Sequence, residues 1–137
     1  MISQTLTTSF KEQLLLAVHD FSTDTFKMAL YLASADLTAA TTVYTATGET
    51  TGTGYTATGQ ALTGVTVTVS GTTAYVDFAN VVWNPASFTA RGALIYNASK
   101  SNKSVAVLDF GADKTASTIF TVAMPANTAT SALIRLP

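Results

Sequence analysis

The sequence predicts a mainly β protein, an antiparallel β-sandwich or barrel carrying one short N-terminal helix. Three observations support this. Val65-Thr66-Val67-Thr68-Val69 and Thr72-Thr73-Ala74-Tyr75-Val76-Asp77-Phe78 alternate strictly on either side of a Gly-containing turn, the pattern of a β-hairpin. Several further short apolar runs follow, separated by polar turns, with spacing suited to an antiparallel meander. Helical periodicity is confined to one segment near the start. With 137 residues, the chain is the size of a single domain.

The helix is expected near residues 9–19. Ser9-Phe10-Lys11-Glu12 has the form of a capping box, and Phe10, Leu14, Ala17, Val18 and Phe21 recur at helical spacing. About three turns would be marginal alone, so the apolar stripe must pack on the rest of the domain. Residues 1–21 thus form an N-terminal segment and helix. Phe26 to Ala33 is an apolar run suited to a strand buried on both faces. Residues 35–63 hold many threonines and only Val43, Tyr44 and Tyr55 as large anchors, and are expected to form a Gly/Thr-rich arm or a long loop.

In the hairpin, a two-residue turn at Ser70-Gly71 or Gly71-Thr72 sets Val65, Val67 and Val69 opposite even-numbered residues. Those include Ala74, Val76 and Phe78, so one face is apolar and is expected to be the core face. Asn84-Pro85 marks a turn. Ala93 to Ala98, Ser104 to Phe110 and Thr118 to Met124 read as strands, with turns at Ser99 to Lys103 and Gly111 to Ser117. Ala132 to Leu136 is expected to form a short last strand.

Composition excludes several function classes. Charged residues make up 11% of the chain and the net charge is −1, so the basic excess that nucleic-acid binding requires is missing. Apolar residues make up 47%, which argues against intrinsic disorder. There is no apolar run long enough to span a membrane, and the first residues lack the pattern of a secretory signal. The chain is therefore expected to be made in a cytosol and to bind neither nucleic acid nor membrane. With 26 Thr and 22 Ala, its polar surface is mostly hydroxyl and methyl, and such surfaces tend to be covered by partners. Assembly is the expected outcome.

No motif carries chemistry. His19 is the only histidine and no Gly-x-Ser-x-Gly elbow accompanies it, so it reads as a partner for the helix C-terminal dipole. One His and no Cys cannot supply a transition-metal site. Asp109 and Asp113 bracket a turn and read as caps of their own backbone. Asp109-Phe110-Gly111 matches a kinase triplet without its companion motifs, and Gly52, Gly54 and Gly59 fit no dinucleotide fingerprint. Asn97-Ala98-Ser99 is a glycosylation sequon, which has meaning only in a secreted chain. Trp83 and Tyr75 could make a sugar-stacking platform, although a single Trp in a small β domain is more often core. No pair of carboxylates suggests glycosidase chemistry. The expectation is a non-enzyme with no catalytic residues, no cofactor and no metal.

Four stretches carry a resemblance: TTSFKEQLLLAVHDFSTDTFKMALY, VYTATGETTGTGYTATGQALTG, VDFANVVWNPASFTARGALIYN and VLDFGADKTASTIFTVAMP. Together they run from Thr7 to Pro125 and resemble small virion structural, head-associated proteins of tailed bacteriophages. The resemblance implies a capsid decoration (cement) protein on the outer shell, with the major capsid protein as partner. It also implies a homo-oligomer, a trimer being favoured, and no catalytic residues. The N-terminal segment and residues 35–63 are the expected capsid-facing parts. A tail, neck or fibre-base component is the alternative, and a carbohydrate-binding β-sandwich module the second alternative.

Overall fold

A computed structural model describes residues 1–137 in full. The chain is mainly β, with 43% strand and 6% helix, as the sequence predicts. In chain order the elements are β1 (Thr5–Leu6), α1 (Thr8–Leu15), β2 (Phe26–Tyr31), β3 (Gln60–Ala61), β4 (Thr66–Ser70) and β5 (Thr73–Asp77). They continue with β6 (Val81–Trp83), β7 (Phe88–Asn97), β8 (Lys103–Ala116), β9 (Phe120–Val122) and β10 (Ile134–Leu136). All strand pairings are antiparallel. They make a five-stranded sheet in the order β1-β8-β7-β2-β3, a three-stranded sheet β10-β5-β4 and a two-stranded pair β6-β9.

The five-stranded sheet is covered on both faces. Because side chains alternate along a strand, Phe26, Met28 and Leu30 of β2 enter the main core, while Ala29 and Tyr31 enter a second, smaller one. The main core also takes Phe10 from the helix, Val76 and Phe78, Ile134, and Val81, Trp83, Phe120 and Val122. The two small sheets and the helix therefore cover one face. On the other face Ile2, Ala35 and Leu37 close over Leu94, Tyr96 and Val107. The expectation of a doubly buried strand from Phe26 holds, and its physical cause is this second layer.

The helix differs from the expected span. It begins two residues earlier than the capping box implies, because Thr7 is the N-cap and its hydroxyl accepts from the Phe10 N–H. It ends four residues earlier. Ala17 takes φ +57°, and the N–H groups of Ala17 and Val18 return to the carbonyls of Leu14 and Gln13. This is a Schellman closure, which favours Gly at the left-handed position; alanine there hides the stop from the sequence. Ser9 faces Ser104 instead of capping.

The expected turn at Gly111 to Ser117 is strand as far as Ala116. Pairing runs Gly92↔Asp109 and then Ala90↔Lys114, so Arg91 stands opposite Phe110 to Asp113. Gly111, at φ +80°, absorbs this bulge. Asp109 and Asp113 thus lie in one long strand and do not bracket a turn.

Candidate contact surfaces

The polar groups singled out in the sequence are spent inside the fold. His19 lies beyond the helix end, so it is not the dipole partner expected. It packs against Phe10 and Phe26. Its Nε2 is 2.8 Å from Gln13 Oε1, which can only accept, so Nε2 carries the proton and Nδ1 accepts from Asn97 Nδ2 at 3.0 Å. Burial lowers its pKa, partly offset by Asp24, and keeps the ring neutral. The Asn97 amide also donates to Asp24 Oδ2 at 2.8 Å. Asn97 is fully buried, so in the folded chain the sequon offers no free amide. Asp109 accepts from Arg91 Nε at 3.0 Å and from the Gly111 N–H at 2.9 Å, and both hold its carboxyl below the usual range. Trp83 is 1% exposed and packs edge-on against Phe88 and Phe120. Tyr75 is also buried, so neither aromatic presents a face for sugar stacking.

The N-terminal segment and residues 35–63, expected to face a capsid, are stitched to the domain. Ser3 N–H donates to Leu37 O and Thr8 N–H to Ala39 O, both at 2.9 Å, and β1 pairs with β8. Removing residues 1–8 would delete a strand and the Thr7 cap together. Residues 35–63 form the long-loop form of the expectation, laid along the sheet. Glu49, 9% exposed, organises it: its carboxylate accepts from Tyr44 OH and Tyr55 OH at 2.6 Å each and from Thr58 N–H at 2.9 Å. Tyr31 OH donates to Thr45 O and Tyr96 OH to Thr58 O, again at 2.6 Å. Burial, with Glu49 adding to it, raises the pKa of Tyr31, Tyr44 and Tyr55 well above the usual phenol value. Gly59 has φ +78°, and a Cβ there would run into the Met28 carbonyl, so the loop can lie this close to β2 only with glycine. Tyr44 and Tyr55 are visible in the sequence as anchors; the role of Glu49 is not.

What remains open is apolar. One groove of about 460 Å³ is lined by Leu108, Phe110, Ile119, Phe120, Met124 and Leu133, with Gln4 and Lys114 among its few polar groups. A second, about 520 Å³, lies between the helix end and the small sheet, lined by Leu14, Phe21, Val67, Ala74, Val76 and Leu136. The predicted hairpin register is observed, with Val67↔Val76 and Val69↔Ala74. Its apolar face is not all core, however. Val76 is buried, but Val67 is 59% and Val69 70% exposed, because β4 overhangs the body that covers β5 and β10. Leu136, paired with Ala74, is 53% exposed on the same face.

No group of three or more His, Cys, Asp or Glu residues is placed to hold a metal ion, and no helix is long and apolar enough to cross a membrane. No protein-family model, curated protein or solved structure matches the chain.

Proposed function

We propose that this chain is a non-enzymatic structural protein of a bacteriophage virion, a capsid decoration (cement) protein that binds the outer shell and bridges capsomers. The resemblance of the four stretches supplies the virion. The observation that carries a binding role is the exposed apolar surface on a chain with 11% charged residues: Val67, Val69 and Leu136 on one side, Ile119 at the mouth of the other groove. Apolar side chains of this size left in water favour a partner that covers them. A pinned loop and a doubly covered sheet make a stiff body, so contact costs little ordering entropy. Weak contacts repeated over a shell add up through effective concentration.

On this reading the partners are the major capsid protein and further copies of the chain, three being favoured by the resemblance. The place of action is the capsid surface, after synthesis in the host cytoplasm. Quantitative mass spectrometry of virions tests it. A copy number near that of the major capsid protein, or a simple fraction of it, is expected. A few per cent or less would move the protein to the tail, neck or fibre base, and absence from virions would overturn the reading altogether.

A further inference from the structure

We infer that β4 is a self-pairing edge, through which a second copy of this chain joins antiparallel about a two-fold axis at Thr68. This inference does not depend on the virion reading. In the order β10-β5-β4, β4 has a neighbour on one side only. Its five residues form the longest open edge free of charge and bulge, since β1 and β3 have two residues and β10 three, and the unpaired side of β8 beyond Val107 is bulged and carries Asp109, Asp113 and Lys114. Exposed edges are usually blunted by Lys, Pro or a bulge, and β10 carries Arg135 with Pro137 just beyond it. Thr66-Val67-Thr68-Val69-Ser70 has none of these devices.

The backbone is in register for such a pairing. Gly71, at φ +61°, and Thr72 form a two-residue loop, so Ser70↔Thr73 is the hydrogen-bonded pair that closes the hairpin. Alternation then makes Thr68↔Tyr75 and Thr66↔Asp77 hydrogen-bonded pairs too. The N–H and C=O groups of Val67 and Val69 are left pointing to the open edge. A two-fold axis at Thr68 sets Val67 of each copy opposite Val69 of the other. Those are the residues whose donors and acceptors face outward, so both strands would be satisfied at once.

The same axis brings all four valines onto one face, continuous with Leu136 of each copy. A strand shifted by one residue would lose both matches. Charge points the same way. Across a two-fold axis the strand faces a second copy of itself, so a strand carrying one sign of charge would repel its partner, and Thr66 to Ser70 is uncharged. Pairing five residues a side, with these valines and leucines, buries on the order of 1,000 Å² in total, at the low end for specific interfaces. An interface this small is expected to be weak, so that the monomer and the dimer are both populated at working concentrations. The contact is isologous and closes at two copies, where the resemblance favours three.

Thr68 provides the test, because only a residue on the axis meets itself. The purified full chain should sediment as a monomer–dimer equilibrium. Thr68→Lys and Thr68→Glu, each with unchanged circular dichroism, should each weaken the dimer by about tenfold or more, and an equimolar mixture should restore it. The chain has no cysteine, so Thr68→Cys isolates one contact. A non-hydrogen-bonded antiparallel pair lies within disulfide reach, and mild oxidation should give a covalent dimer. Val82→Cys, exposed elsewhere, should not. A monomer at millimolar concentration, a trimer without the Thr68→Cys cross-link, or a dimer indifferent to Thr68→Lys would each overturn the inference. So would a chain that is monomeric alone and loses binding to capsids on Thr68→Lys, because the edge would then pair with a strand of a different protein.

Discussion

Replacing Glu49 by Ala should unfasten the loop over residues 44–58 and destabilise the whole domain. The carboxylate accepts three hydrogen bonds, from Tyr44 OH, Tyr55 OH and Thr58 N–H. Bonds to a charged acceptor contribute about 1.5–3 kcal/mol each when buried. They will not all count in full: Tyr44 is only half-buried and can turn to water. Tyr55 OH also accepts from Leu30 N–H at 2.9 Å and is better enclosed, so losing its acceptor leaves a hydroxyl proton without a partner. A loss of about 3–5 kcal/mol is expected for Glu49→Ala. Glu49→Gln keeps one acceptor oxygen and should lose about half as much. The loop covers Tyr31 and Tyr96, so its release exposes the smaller core and the effect should appear in global unfolding. Urea denaturation followed by near-UV circular dichroism measures it, with hydrogen exchange of the Thr58 amide as the local readout. A Glu49→Ala midpoint within about 0.5 kcal/mol of the parent, with Thr58 still protected, would refute the claim that this carboxylate holds the loop.

Three further outcomes are expected. Ala17→Gly relieves a left-handed alanine at the helix stop and should raise stability by about 1 kcal/mol in thermal unfolding; a fall would show that Ala17 makes contacts that matter more than its backbone. Tyr31, Tyr44, Tyr55 and Tyr96 hold their protons above the usual phenol range, chiefly through burial, whereas the unfolded chain releases them near pH ~10. Their contribution is thus complete below pH ~10 and declines as pH rises, by up to about 1.4 kcal/mol per pH unit for each enclosed phenol and by less for the half-buried Tyr44. Tyrosinate absorbance should accordingly rise together with loss of near-UV circular dichroism; gradual ionisation in an intact fold would contradict this. Trp83 should emit in the blue and resist acrylamide quenching, and Trp83→Ala should cost about 3–5 kcal/mol in urea titration; a red-shifted, readily quenched emission would place the indole at the surface.

The hairpin was the most legible part of the sequence because alternation and a glycine turn fix register locally, and Val67↔Val76 and Val69↔Ala74 are the pairs that parity demands. Parity says which residues share a face. It does not say how far the covering layer extends, so Val67 and Val69 read as core although β4 overhangs it. The helix start and stop were misplaced for a related reason: Thr7 and Ser9 are both good caps, and Ala17 gives no sign of a left-handed turn. Gly111 reads equally well as a turn or a bulge, and only pairing with the longer-than-expected β7 decides. Residues 35–63 were least legible. Tyr31 and Tyr96, which lie outside the segment, and Glu49 within it place the loop through contacts made only once the sheet exists. The candidate contact surface was hidden by the same misreading that made its valines core.

Both faces of the five-stranded sheet are sealed, and no enclosed side-chain nitrogen or oxygen lacks a hydrogen-bond partner. The interior therefore holds no unsatisfied group waiting for a ligand. The groups left to water lie at its margin, among them the outward amides and carbonyls of β4 and the apolar side chains beside them. Those side chains add little to the body's own stability, since water already reaches more than half of Val67, Val69 and Leu136. Val76 on β5 and Ile134 on β10 already anchor the small sheet to the main core. A charged or polar residue at positions 67 and 69 would serve the isolated domain as well and keep it more soluble. Valine at both suits a strand in its own right, and on an uncharged edge it also leaves the apolar surface that the proposed pairing of two copies would cover.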